Sequence, residues 1–277
     1  MSQVGEPRTM NAEEIRRRVG EVTWHHSIDL GQGTVTPGAS NVEPLSDGEL
    51  PNFVGRSVLD IGAWDGFYSF RAEESGASRV VALDHYAWGV SLPLRQAYWD
   101  RCAAAGALPD HERDITEYWD PSLPGRKGFD LAKEVLGSSV EPVVGDLMTM
   151  DLDALGTFDI VLYLGVLYHM PEPLTALRRV RAVTRDVAVI ETVAVRVLAQ
   201  RDASLLAFYP GNELGGVDFG NWFAPTQAGL IDLCQAAGFS RVEPRRGPPA
   251  IKAWRDHFRR NVRRTLVQYR ATVLAWV

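Results

Sequence analysis

The sequence has only two cysteines, Cys102 and Cys234, and their spacing matches neither a metal site nor a disulfide framework. That excludes a small fold held by bridges and points to a reducing, cytoplasmic setting. No apolar run reaches 18 residues, so no membrane span is expected. The opening residues, MSQVGEPRTMNAEEIRRRVGEV, lack the apolar stretch of a secretory leader. No internal repeat or low-complexity tract stands out. A glycine is also missing where one is common. In SVLDIGAWDGFYSF, Ser57 to Phe70, the turn after the apolar run has Gly62, Ala63 and Gly66 but Trp64 between the glycines. A dinucleotide loop has the spacing G-x-G-x-x-G, with a pyrophosphate at the following helix N-terminus. Asp65 in this turn would repel a pyrophosphate and tolerate a cationic sulfonium or ammonium group, which disfavours NAD.

The chain has 277 residues, 45% hydrophobic and 23% charged, enough for one α/β domain with elaborations and a sizeable core. Charge is uneven. The total is −6, but from Arg241 onward ten Lys and Arg stand against two acids, so the tail carries +8 and the remainder −14. An acidic body speaks against nucleic acid as a partner, while the basic tail keeps that partner in view.

Strand patterns alternate with helical ones, as in a parallel sheet with crossover helices. SVLDIG is followed by SRVVALD, VEPVVGD, FDIVLYLG and DVAVIETV, with helical stretches such as PLTALRRVRAV and TQAGLIDLCQAAGF, and SRVEPR reads as a late strand. The expectation is a doubly wound, Rossmann-like α/β sheet over residues 51–245. Three additions decorate it: an N-terminal cap, 1–50; a long insertion over 85–140, expected to act as a lid; and a C-terminal stretch, 246–277. In the last, Ile251, Trp254, Phe258, Val262, Leu266, Tyr269 and Val273 recur at steps of three or four, which predicts an amphipathic helix and a route to a homo-oligomer.

Ligands of open parallel sheets bind beyond the carboxyl ends of the strands. Asp84 ends the second strand, 18 residues past Gly66, where a carboxylate can accept both hydroxyls of a ribose. His85, next to it, reads as a wall of that pocket. Asp146 and Leu147 end the third strand: the acid can accept an exocyclic amine and the leucine can cover a ring face. The fourth strand runs into LGVLYHM.

Taken as a set, VLDIGAWDG, VVALD, VVGDL and FDIVLYLGVLYHMPEP resemble the successive motifs of class I S-adenosylmethionine-dependent methyltransferases, over roughly Val58 to Val195. LGVLYHMPEPL and FYPGNELGGVDFGNWFAPT are similar to the branch that contains the bacterial tRNA uridine carboxymethyltransferases and related methyltransferases. The resemblance implies S-adenosyl-L-methionine as cofactor. It implies that Asp60, Gly62 and Gly66 hold the methionine part, Asp84 the ribose, Asp146 and Leu147 the adenine, and that Leu164 and Tyr168 line the pocket. The tRNA enzymes hold a carboxylated cofactor through basic and aromatic groups upstream of the glycine turn. Here NVEPLSDGELPNF has neither Lys nor Trp, so ordinary S-adenosylmethionine is expected.

Methyl transfer to a hydroxyl requires alignment and removal of a proton. His169, just past the fourth strand, is the first candidate base. His25 and His26, with Asp29 near to orient an imidazole, are the rivals. His169, Glu172, Glu191 and Asp218 have no spacing that demands a metal, and none is expected. The expected activity is O-methylation of a small natural-product or sugar-like acceptor; the alternative is a tRNA wobble-uridine (carboxy)methyltransferase.

Overall fold

The computed structural model describes residues 10–109, 117–197, 203–209, 220–248 and 266–277. Its centre is a seven-stranded sheet of β1 (Ser57–Ile61), β2 (Arg79–Asp84), β3 (Glu141–Val144), β4 (Phe158–Leu164), β5 (Thr184–Val197), β8 (Arg241–Arg246) and β9 (Leu266–Trp276), in the order β3-β2-β1-β4-β5-β9-β8. The strands from β3 to β5 are parallel, and β9 runs antiparallel to both β5 and β8. A separate pair, β6 (Leu206–Phe208) and β7 (Phe223–Pro225), lies outside this sheet.

Alternation along the strands divides the core into two layers. On one face Val58, Ala82, Ile160, Leu162, Val189 and Leu274 pack with Phe70 and Ala72 of α2 (Phe67–Glu74) and with Phe129 and Leu131 of the helix Lys127–Leu136. On the other, Leu59, Val81, Val161, Tyr163, Ile190, Ala271 and Val273 meet Leu177 and Val180 of Pro173–Val183 and Leu230 and Cys234 of Gln227–Ala236. The sheet is thus covered on both sides, which is why its central strands read as near-continuous apolar runs. The N-terminal segment belongs to the first layer: Ile15 of α1 (Ala12–Val19), Trp24, Ile28 and Leu30 are buried in it.

The insertion is mainly helical, with Tyr86–Gly89, Leu92–Ala104 and Lys127–Leu136, and its Trp88 and Trp99 are buried. The helix expected over 246–277 is corrected in its described part, since Leu266–Trp276 is a strand. Residues 249–265 lie outside the described residues. The physical reason is that β9 is an interior strand with both neighbours present. It buries Ala271, Val273 and Ala275 on one face and Leu274 on the other. A strand buried on both faces has no period-2 pattern, so its apolar positions mimic a helical stripe.

Candidate active site

Sheet order reverses between β1 and β4, and a cleft of about 760 Å³ opens beyond the carboxyl ends of these strands. Asp60, Gly62, Ala63 and Trp64 line it from the first strand and its turn, Asp84 and His85 from the second, and Asp146 and Met148 from the third. Leu164, Tyr168 and His169 line it from the fourth. Tyr86, Val90 and Tyr118 of the insertion close one side, and His25, His26 and Leu45 of the N-terminal segment close another.

The turn holds its shape without a third glycine. Gly62 and Gly66 have φ of +80° and +83°, and a Cβ on either would collide, on Gly62 with Val166 at 2.5 Å and on Gly66 with Phe70 and Phe129. These glycines therefore serve the turn's packing, and the backbone between them bears the strain: Trp64 has φ +47°, in the left-handed region. Its N–H donates to Asp84 Oδ2 at 2.9 Å, its carbonyl accepts from Trp88 Nε1 at 2.6 Å, and its ring stacks on His25 at 4.1 Å. Gly66 itself does not line the cleft.

Asp84 is buried at the cleft wall and accepts backbone N–H from Trp64, and from Ala87 at 2.9 Å. Burial pushes its carboxyl up to about 6 despite these donors. Asp60 behaves alike: it accepts from Ser69 Oγ at 2.7 Å, and burial raises it to about 6. Asp146 accepts from Met148 N–H at 2.8 Å. Leu147, expected to cover a ring face, packs in the core with Leu83 and Val161, and Met148 lines the cleft beside Asp146. His85 stacks on Trp119 at 4.2 Å and is held below its ordinary pKa by burial.

His169 places Nδ1 2.9 Å from the Gly220 carbonyl, which can only accept, so Nδ1 carries a proton and, in the uncharged ring, the lone pair is on Nε2. His25 is pushed down to about 4 by burial and then by the neighbouring His26, so it is uncharged at neutral pH. The carboxylate that meets this histidine pair is Asp65, not Asp29. Asp29 accepts from Gly31 N–H at 2.8 Å, within its own loop. Asp65 Oδ1 is 2.6 Å from His26 Nδ1, and Oδ2 takes the backbone N–H of His25 and of His26 at 2.9 and 2.7 Å. Its side chain is 1% exposed and lies behind the cleft wall, so the acid in the turn does not face the ligand.

Two ion pairs also reach the cleft and were not anticipated. Glu191 on β5 pairs with Arg270 on β9, two residues diagonal across an antiparallel ladder, and Arg270 sits over the Tyr168 ring at 5.2 Å. Arg246 grips Glu49 at 2.7 and 2.9 Å, and this holds the Glu49 carboxyl down at about 2. The signal for the first pair was present in DVAVIETV, a lone acid inside an apolar strand, which needs a buried partner. Among the described residues no group of three or more His, Cys, Asp or Glu side chains converges as a metal site. Also among them, no helix is long and apolar enough to cross a membrane.

No family model matches the chain. It is 25% identical over 189 residues to the tRNA U34 carboxymethyltransferase of Campylobacter jejuni subsp. jejuni, covering 68% of this chain and 50% of that protein. It is 25% identical over 188 residues to the enzyme of the same name from Chromohalobacter salexigens, covering 68% and 45%. The chain therefore spans about half the length of the curated relatives it matches. Among solved structures, the N-terminal domain of EvdMO1, crystallised in the presence of SAH and D-fucose, superposes with a TM-score of 0.62 at 17% identity, covering 99% of this chain and 100% of that one. These relatives bear out the resemblance to S-adenosylmethionine-dependent methyltransferases, and the seven-stranded, mostly parallel sheet is consistent with a Rossmann-like methyltransferase fold.

Proposed function

We infer that this chain is an S-adenosylmethionine-dependent methyltransferase, and we propose that it methylates an oxygen of a small, sugar-like acceptor. The observation that carries the reading is the cleft at the sheet's switch point, where acids from three successive strand ends converge. In this reading Asp84 accepts the ribose hydroxyls, and Asp146 takes the adenine amine with Met148 beside the ring. Asp60, Gly62 and Ala63 flank the methionine part, with Leu164, Tyr168 and His85 as walls. Gly66 shapes the turn from behind. The cofactor supplies a methyl on a cationic sulfur, open to in-line displacement. This chain's part is to align the acceptor and take its proton, for which His169 Nε2 has the lone pair. His25 and His26 are the rival bases. Two unpaired cysteines suit a cytoplasmic setting.

A volume of about 760 Å³ suits a nucleoside cofactor and a small ring together, within the range of small-molecule pockets. Tyr68, Tyr168, Trp64 and His25 give such a ring apolar faces. A structural neighbour prepared with SAH and D-fucose supports a sugar as the acceptor class. The second reading, a tRNA uridine carboxymethyltransferase, is supported by the curated relatives. The −14 of the chain before Arg241 speaks against it, because phosphate binding rests on cationic surface.

The test has two stages. Calorimetry should show S-adenosylhomocysteine binding, and its absence at millimolar ligand would remove the methyltransferase reading. Methyl-tritiated S-adenosylmethionine is then offered with a panel of hexoses and 6-deoxyhexosides, and separately with bulk tRNA at physiological salt. Label in a sugar is the expected result. Label in tRNA alone would replace it with the second reading.

A further inference from the structure

We propose that Asp65 is a positioning residue of the transfer reaction: it fixes the His25–His26 turn against the glycine turn and sets the tautomer of His26 on the cleft wall. The proposal rests on the methyltransferase reading.

Residues 24–40 form a closed loop with its own bonds: Ala39 N–H to the Trp24 carbonyl at 3.1 Å, Ser40 N–H to the His25 carbonyl at 2.9 Å, and Ile28 N–H to Thr36 Oγ1 at 2.7 Å. Its back is tight, since a Cβ on Gly38 would lie 2.3 Å from the His26 carbonyl carbon. This internal ladder leaves the amides of His25 and His26 pointing outward, and both go to one oxygen, Asp65 Oδ2. The other oxygen takes His26 Nδ1. One buried carboxylate therefore accepts three donors from a segment 39 and 40 residues away. Its neighbour Trp64 holds the same turn by stacking on His25, while Phe67 stacks on His26 at 5.0 Å.

Adjacent residues of the cofactor turn thus clasp adjacent histidines of the cleft wall. Trp64 is at the same time bonded to Asp84, so the clasp is continuous with the strand end assigned to the ribose. The carboxylate can only accept, so His26 must present Nδ1–H to it. A carboxylate on one imidazole nitrogen is the standard means of fixing what the other can do. A turn acid that merely tolerated a cationic ligand would face the cleft; this one faces the segment.

The experiment uses the whole chain with S-adenosylhomocysteine as probe, hydrogen exchange, and ¹⁵N shifts of the histidine rings. In Asp65→Ala the His25 and His26 amides should exchange at least tenfold faster, while the Ala39 amide and those of β1 and β4 keep their protection. In Asp65→Asn the amide oxygen can still accept both backbone N–H groups, so protection should return. The side-chain NH₂ then faces His26 Nδ1, and the ring should switch to the Nε2–H tautomer. A residue that only stabilised the fold would produce the first effect without the second. Unchanged amide exchange in Asp65→Ala, or an unchanged His26 tautomer in Asp65→Asn, overturns the proposal. If Asp65→Ala fails to fold, the Asp65→Asn tautomer decides. If the wild-type chain does not bind the probe, the methyltransferase reading fails while exchange and ring shifts still decide the clasp. With a labelled acceptor in hand, Asp65→Asn should lower kcat at least tenfold and leave probe affinity within threefold.

Discussion

His169 and His25 differ in what their surroundings permit. The Gly220 carbonyl fixes the proton of His169 on Nδ1 and leaves Nε2 as the acceptor. A base within hydrogen-bond reach of a hydroxyl is worth a factor of about 10²–10⁴ in rate. His169→Ala should therefore slow methyl transfer at least a hundredfold in single-turnover assays, with S-adenosylhomocysteine affinity nearly unchanged. Retention of activity there, with loss in His25→Ala or His26→Ala, would move the base to the N-terminal segment. His25 also makes a pH prediction. Its folded pKa is about 4 against an ordinary 6.5, so between these values the unfolded chain holds a proton that the folded chain does not. Stability thus falls as pH drops from 6.5 through 4. Asp60 and Asp84 act oppositely, since their folded values near 6 lie above the ordinary 3.8 and favour the folded state on acidification through that range. His25→Gln removes only the first contribution, so its urea midpoint should decline less steeply than wild type between pH 7 and pH 4. A parallel decline would show that His25 does not titrate as a buried neutral ring.

Among elements, β9 joins the sheet to the cleft. Inserted between β5 and β8, it places Arg270 against Glu191, and burial pushes the Glu191 carboxyl above its ordinary pKa even with that partner. Removing one partner of a buried pair leaves an uncompensated charge, which costs about 3–5 kcal/mol. Arg270→Ala should be destabilised by that order at pH 8 in urea unfolding. The loss should shrink at pH 5, because the stranded Glu191 takes up a proton more readily in the folded state. An equal loss at both pH values would mean that Arg270 acts through packing alone. The tail was legible as amphipathic but not as a strand. Leu266, Tyr269 and Val273 fall at helical steps, but Leu274 is apolar as well as Ala271, Val273 and Ala275, as befits a strand covered on both faces, and only the presence of β5 and β8 on its flanks decides.

At the scale of the whole molecule, the cleft wall draws on stretches far apart in the chain, among them the N-terminal segment, the ends of the parallel strands and the insertion. A ligand contacting all three binds the folded state only, and stabilises it by RT ln(1 + [L]/Kd). S-adenosylhomocysteine at a hundred times its Kd should add about 2.7 kcal/mol to unfolding free energy, and should slow hydrogen exchange in residues 22–45 and 85–104 as well as in the glycine turn. Protection confined to the turn would show that neither stretch closes over the cofactor.

What the sequence determined by itself was the order of the strands in the chain and the chemistry at their ends. Val58, Leu59 and Ile61 before Gly62, Asp84 after a second apolar run, and Asp146 after a third are local patterns, written in adjacent residues and read without knowing what lies opposite. Tertiary structure decided everything that depends on a partner remote in the chain. Asp65 finds His26 rather than a ligand, Leu147 turns into the core and yields the cleft to Met148, and Glu191 meets Arg270. The physical reason is that a side chain's type states what bond it can make, while the direction in which it is made depends on which surfaces the packed sheet brings within about 3 Å.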